Sequence, residues 1–165
     1  MPDWRDWAAT AAVYETGFTP PFSVEFDLKT SHDGSEPQAD GFTFFFGKSD
    51  TAFTVSAPDR GQLGVVKDGT GYAVFFNTWT ARIGVRDADW QAIGNDVPHP
   101  ANTQAKWVSV RIEVQADGVE VFWDEQSVHS AAHSWNSTHD TVGFTAGTGY
   151  YTAEYRLRDV VFRPQ

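Results

Sequence analysis

Cysteine is missing from the 165 residues. That absence excludes disulfides, thiolate metal sites and thiol nucleophiles, and leaves the redox compartment open. Basic residues are scarce: 12 Lys and Arg stand against 22 Asp and Glu, a formal net charge of −10. Phosphate recognition needs a basic footprint, so no nucleic acid and no anionic membrane is expected as a partner. No apolar run is long enough to cross a bilayer and no basic-then-apolar leader opens the chain, so no membrane insertion is expected. The chain reads as cytosolic, or as a mature extracellular domain or part of a larger protein. The fillers of helices are rare as well. Met occurs once, and Leu and Ile three times each, against 17 Val and 13 Phe. Val and Phe fit pleated, half-buried surfaces better than helices, so the composition points to an all-β fold.

What is present supports that reading. Phe22, Val24, Phe26 and Leu28 alternate with polar residues, as do Val108, Val110, Ile112 and Val114. Ala116-Asp117-Gly118 then supplies a two-residue hairpin signal before Val119-Glu120-Val121-Phe122-Trp123, so 107–124 is expected to be a β-hairpin. Further strands are predicted at 41–47, 62–66, 72–79, 81–87, 141–147 and 151–163. Residues 30–40 and 94–105 read as loops. No segment carries a helical apolar period, and the length suits one domain spanning 1–165. Phe42, Phe44 and Phe46 share one strand face with Phe45 opposite, and Tyr72, Val74 and Phe76 share another with Phe75 and Trp79 opposite. Either these strands are covered on both sides, or the second face lines an aromatic groove suited to stacking on sugars.

Three stretches, in order, resemble the legume-type (L-type) lectins. The first is Phe22–Asp27 followed by Ala39-Asp40-Gly41-Phe42. The second is Gly71–Trp79 running into Arg82-Ile83-Gly84-Val85. The third is Val142–Glu154, with its Gly143-Phe144-Thr145-Ala146 core. The resemblance covers most of 9–163 and implies a concanavalin A-like jelly-roll sandwich of two antiparallel sheets that binds glycan without catalysis. It implies these ligand-binding positions: Asp40 as the carboxylate accepting two sugar hydroxyls, Gly61 as a backbone contact, Trp79 as the stacking ring, and Tyr150 and Tyr151 in the specificity loop. Gly61, Asn77 and Arg82 are weaker candidates than the other four. An ionised carboxylate is acceptor-only and takes two hydroxyl donors at once.

The chain departs from the family at the metal strand. Where the family has a Glu and an Asp that hold metal, this chain has Phe75 and Asn77, and Arg82 stands at the position of the family's His. Calcium wants six to eight oxygens, carboxylates among them. No metal and no cofactor are therefore expected, and a hairpin turn should replace the metal loop. Arg82 or Arg86 would then steady Asp40 as a bidentate partner.

The rival reading is a protein-interaction, structural or adhesin module with a decayed sugar site. A glycoside hydrolase of the same fold is third, since Glu25 and Asp27 lie at strand spacing on one face of what reads as an edge-like strand. His129, His133 and His139 are read as surface-loop histidines rather than zinc ligands, and Asn136-Ser137-Thr138 is a sequon that matters only in a secreted chain. Family members often pair through the outer sheet, so a homo-oligomer stays open.

Overall fold

The computed structural model describes residues 8–31, 40–48, 71–99, 103, 105–135, 140–148 and 153–165. Eleven strands follow one another among them: β1 (Ala8–Thr16), β2 (Phe22–Ser31), β3 (Gly41–Gly47), β4 (Tyr72–Asn77), β5 (Arg82–Asp87), β6 (Ala92–Pro98), β7 (Val108–Gln115), β8 (Gly118–Trp123), β9 (Gln126–Ala132), β10 (Thr141–Thr148) and β11 (Glu154–Pro164). They form a six-stranded sheet ordered β1-β10-β3-β4-β5-β6 and a five-stranded sheet ordered β11-β2-β7-β8-β9. Every pairing is antiparallel. This is the two-sheet sandwich that the alternation and the resemblance implied.

The alternating residues are the reason the sheets stack. Phe22, Val24, Phe26 and Leu28 of β2 and Val110, Ile112 and Val114 of β7 point inward from one sheet. Phe42, Phe44 and Phe46 of β3 meet them from the other, with Val74 and Phe76 of β4 and Ile83 and Val85 of β5. Phe42 and Phe76 lie parallel at 4.5 Å, and Phe26 meets Phe144 edge-on at 5.0 Å. Each such ring pair adds about 0.5–1.5 kcal/mol beyond its buried area. The expected hairpin is present: β7 and β8 pair from Val110↔Trp123 to Gln115↔Gly118, turning at Ala116-Asp117.

Several expectations are corrected. β1, β6 and β9 are not among the predicted strands, and β6 takes in 94–98 of the segment 94–105 that reads as a loop. All three are edge strands. An edge needs little apolar alternation, and Ala92–Pro98 carries the Gly, Asp and Pro that keep an edge from pairing further. β2 is the reverse case. It lies inside its sheet between β11 and β7, and its outward carboxylates are paired: Glu25 with Arg163 at 2.6 Å and Asp27 with Arg158 at 2.8 Å. His129 is no loop residue. It sits on β9, only 4% exposed, because its position opposite Val121 turns it into the core, and neither ring nitrogen is hydrogen-bonded among the described residues. The strand expected at 72–79 ends at Asn77, so Trp79 belongs to a turn, and the last strand starts at Glu154 rather than 151. Gly61, Tyr150, Tyr151, His139, the sequon and the strand expected at 62–66 lie outside the described residues.

The second face of the six-stranded sheet is covered. Phe45 and Phe75 are 4% and 5% exposed, so of the two readings of these strands the covered one holds at both rings. Thr43 and Thr145 hydrogen-bond to each other there at 2.5 Å. Gly84 is required beneath Phe75: a Cβ at that position would lie 2.6 Å from the Phe75 ring and closer still to Asp96 Oδ1.

Candidate functional site

Asp40 stands immediately before β3, at the end of the six-stranded sheet. Its N–H donates to the Gly147 carbonyl of β10 at 3.0 Å, and its own carbonyl accepts the N–H of Thr78 at 3.0 Å and of Trp79 at 3.5 Å. The backbone of Asp40 is thus held between the end of β10 and the β4–β5 turn. Its carboxylate is not held: among the described residues it makes no hydrogen bond and no ion pair. The side chain is half-buried, and that burial raises its pKa above the usual carboxylate range.

The β4–β5 connection is a four-residue turn, 78–81, closed by the pairing of Asn77 with Arg82. Asn77 shapes it, because its Oδ1 accepts the Thr80 N–H at 2.7 Å. This is the side-chain mimic of a backbone turn. Ala81 adopts a left-handed φ of 52°, and its carbonyl accepts the His99 N–H at 2.9 Å. At the tip, Trp79 is 50% exposed, more than Trp107 at 37%. Arg82 is exposed beside it.

Two further groups complete the cluster. Thr78 Oγ1 and Tyr155 Oη lie 2.9 Å apart, joining the turn to β11 of the opposite sheet. Burial raises the Tyr155 pKa far above that of a free phenol, and the negative charge of Asp40 raises it further, against the Thr78 hydrogen bond. The phenol therefore stays protonated. Sequence reasoning missed both residues. The available signal was Tyr155 at an inward position of the last strand, since a buried phenol needs a partner for its hydroxyl.

The structure thus brings together Asp40, Asn77 and Trp79, with Arg82 at the rim. Gly61, Tyr150 and Tyr151 lie outside the described residues, although Gly147 and Tyr155, which flank the last two in the chain, both belong to the cluster. Neither arginine steadies Asp40. Arg86 is committed elsewhere: its two terminal nitrogens grip Asp96 at 2.7 and 2.6 Å, and its guanidinium lies 4.5 Å above the Phe75 ring and 5.9 Å from Trp90. Arg82 makes no ion pair among the described residues.

The donor set does not suit the divalent ions of L-type lectins. Phe75 offers no lone pair and already carries a guanidinium on its face. The side-chain oxygen of Asn77 is engaged by its own turn. No group of three or more His, Asp or Glu able to hold a metal occurs among the described residues.

No protein-family model matches the sequence, and no curated protein matches it. Solved structures do match in fold. Lectin II from Ulex europaeus superimposes with a TM-score of 0.75 at 18% identity, covering 99% of this chain and 84% of that one. The exoplasmic/lumenal domain of VIP36, in its Ca2+/Man-bound form, superimposes with a TM-score of 0.72 at 13% identity, covering 96% of this chain and 83% of that one. The carbohydrate-binding module CBM66 from Bacillus subtilis gives a TM-score of 0.60 at 13% identity over 98% of this chain and 97% of that one. The chain has the L-type lectin fold.

Proposed function

We propose that this chain is a non-catalytic carbohydrate-binding domain that works without a bound metal. The observation that carries the reading is the half-buried carboxylate of Asp40, which has no partner among the described residues and belongs to a residue whose backbone carbonyl meets the N–H of the exposed Trp79. A desolvated acceptor without a donor is costly unless something supplies one, and a pair of sugar hydroxyls does so. Trp79 offers a ring face for the sugar's C–H groups, and the amide donors of Asn77 and the guanidinium of Arg82 reach ring or exocyclic oxygens. Gly61, Tyr150 and Tyr151 complete the proposed surface. The fold neighbours support a saccharide ligand, since they include UEA-II in complex with galactose, mannose-bound VIP36 and a carbohydrate-binding module. Metal independence is supported by the ill-suited donors at Phe75 and Asn77 and by the hydrogen bonds that already shape the turn. The absence of catalysis is supported by Glu25 and Asp27, both committed to arginines on the outer face. Sugars trade water hydrogen bonds for protein ones at small net gain, so a single site binds weakly and gains strength through multiple copies.

The deciding measurement is a glycan array probed with the wild type, Asp40→Asn and Trp79→Ala proteins, each with and without EDTA. Binding by the wild type should survive the chelator and vanish in both variants. Binding abolished by EDTA overturns metal independence. No binding at all overturns the sugar reading and favours an interaction module. Release of reducing ends from a glucan panel overturns the non-catalytic one.

A further inference from the structure

The geometry points to Tyr155 as the positioning residue of this site: through Thr78 it clamps the β4–β5 turn onto Asp40 from the opposite sheet. This inference rests on the reading above for its binding consequence, but its structural part stands on its own.

The turn that presents Trp79 is anchored at several points. Its backbone meets Asp40 through the Thr78 N–H at 3.0 Å and, at a long 3.5 Å, the Trp79 N–H, and the Ala81 carbonyl accepts the His99 N–H at 2.9 Å. The Asn77 bond to Thr80 shapes the turn internally without tying it to Asp40. One side-chain tie runs to the opposite sheet, Thr78 Oγ1 to Tyr155 Oη at 2.9 Å. Tyr155 is well placed to act as a fixed post. Its ring packs on Phe42 at 5.7 Å, and Phe42 in turn stacks on Phe76 at 4.5 Å, so the phenol is set by the core rather than by a loop. Its hydroxyl stays protonated at any ordinary pH, so the bond does not titrate away.

Because Thr78 offers its N–H to Asp40 and its hydroxyl to Tyr155, a single residue transmits the position of β11 to the acidic anchor. Holding the turn and the Asp40 backbone in place before the ligand arrives reduces the ordering cost of binding. The Arg86–Asp96 fork does no such work for Asp40, because it braces Phe75 and Trp90.

The test uses Tyr155→Phe, Thr78→Val, the double variant and the conservative Thr78→Ser, on the full chain. The first readout is amide hydrogen exchange without ligand. Tyr155→Phe and Thr78→Val should speed exchange at the Thr78 amide roughly three- to tenfold, the worth of one net hydrogen bond. The Gly17 amide, bonded to Asp140 at the other end of β3, should not change. The second readout is affinity for galactose- and mannose-bearing neoglycoprotein. Each single variant should lose roughly three- to tenfold, the double variant no more than either single, and Thr78→Ser almost nothing. Unchanged exchange at Thr78 in Tyr155→Phe overturns the clamp, as does full additivity in the double variant. A wild type that binds neither sugar, while exchange at Thr78 still responds, sinks the sugar reading and leaves the clamp standing. A variant whose melting temperature falls sharply is judged against Thr78→Ser, which retains the hydroxyl; loss in both overturns the assignment.

Discussion

Asp40 shows how one side chain is set against the stability of its surroundings. Burial raises its pKa, so the charged form is the disfavoured one in the fold. A carboxyl whose folded pKa exceeds its unfolded value contributes stability below the unfolded value, near 3.8, and loses it as pH rises through the folded value. At neutral pH the native protein therefore carries the cost of this charge. Asp40→Asn removes it, and the variant should melt higher than the wild type at neutral pH, with the gap closing toward about pH 4. Thermal melts of the two proteins across that range check this, and a variant that melts lower at neutral pH contradicts it. The combination of higher stability with lost glycan binding is what a functional charge produces. Asp40 is a candidate on sequence alone because a carboxylate before an aromatic strand resembles a known pattern. That its carboxylate has no partner among the described residues is not legible there, since that depends on which side chains from β4, β5 and β11 arrive beside it.

At the scale of the element, the strands that were easy to read are the interior ones. β2 and β7 place apolar residues on the face that meets the other sheet and polar ones on the opposite face, which prints a period of two on the sequence, whereas β3 and β4, covered on both faces, read as near-continuous apolar runs. β1, β6 and β9 are edges with weaker demands, so no apolar alternation marks them. The joint between two of those edges has a consequence of its own. β6 and β9 approach each other where a Cβ on Gly94 would lie 3.1 Å from that of Ala131, and His129 of β9 is buried nearby. Burial lowers its pKa; Asp96 of β6 opposes that shift and Arg86 of β5 adds to it. The unfolded chain then binds a proton that the folded chain refuses, so stability should fall as pH drops below about 6.5, the ordinary histidine value. His129→Leu removes the titrating group and two unpaired ring nitrogens. It should keep or raise stability at neutral pH and flatten the loss below about pH 6.5. Urea titrations across that range decide it, and an unaltered pH profile in the variant rules it out.

For the molecule as a whole, the pairings join distant parts of the chain. β1 pairs with β10, and β2 with β11, so each sheet closes only when segments near the two termini meet. Loop closure of that extent is slow, and sandwiches of this kind refold in milliseconds to seconds. Tryptophan fluorescence after dilution from urea should fall in that window, and a microsecond phase carrying the full amplitude would contradict the topology. The sequence by itself determined the all-β class, the inward residues of the interior strands and the hairpin at 107–124. These follow from local alternation and turn chemistry, neither of which waits on the fold. Only the tertiary structure decided that Arg86 grips Asp96 instead of Asp40, that Tyr155 reaches Thr78 across the sandwich, and that His129 is buried. Those outcomes depend on which strands become neighbours, and a pairing between residues some 77 positions apart leaves no mark on the sequence around either of them.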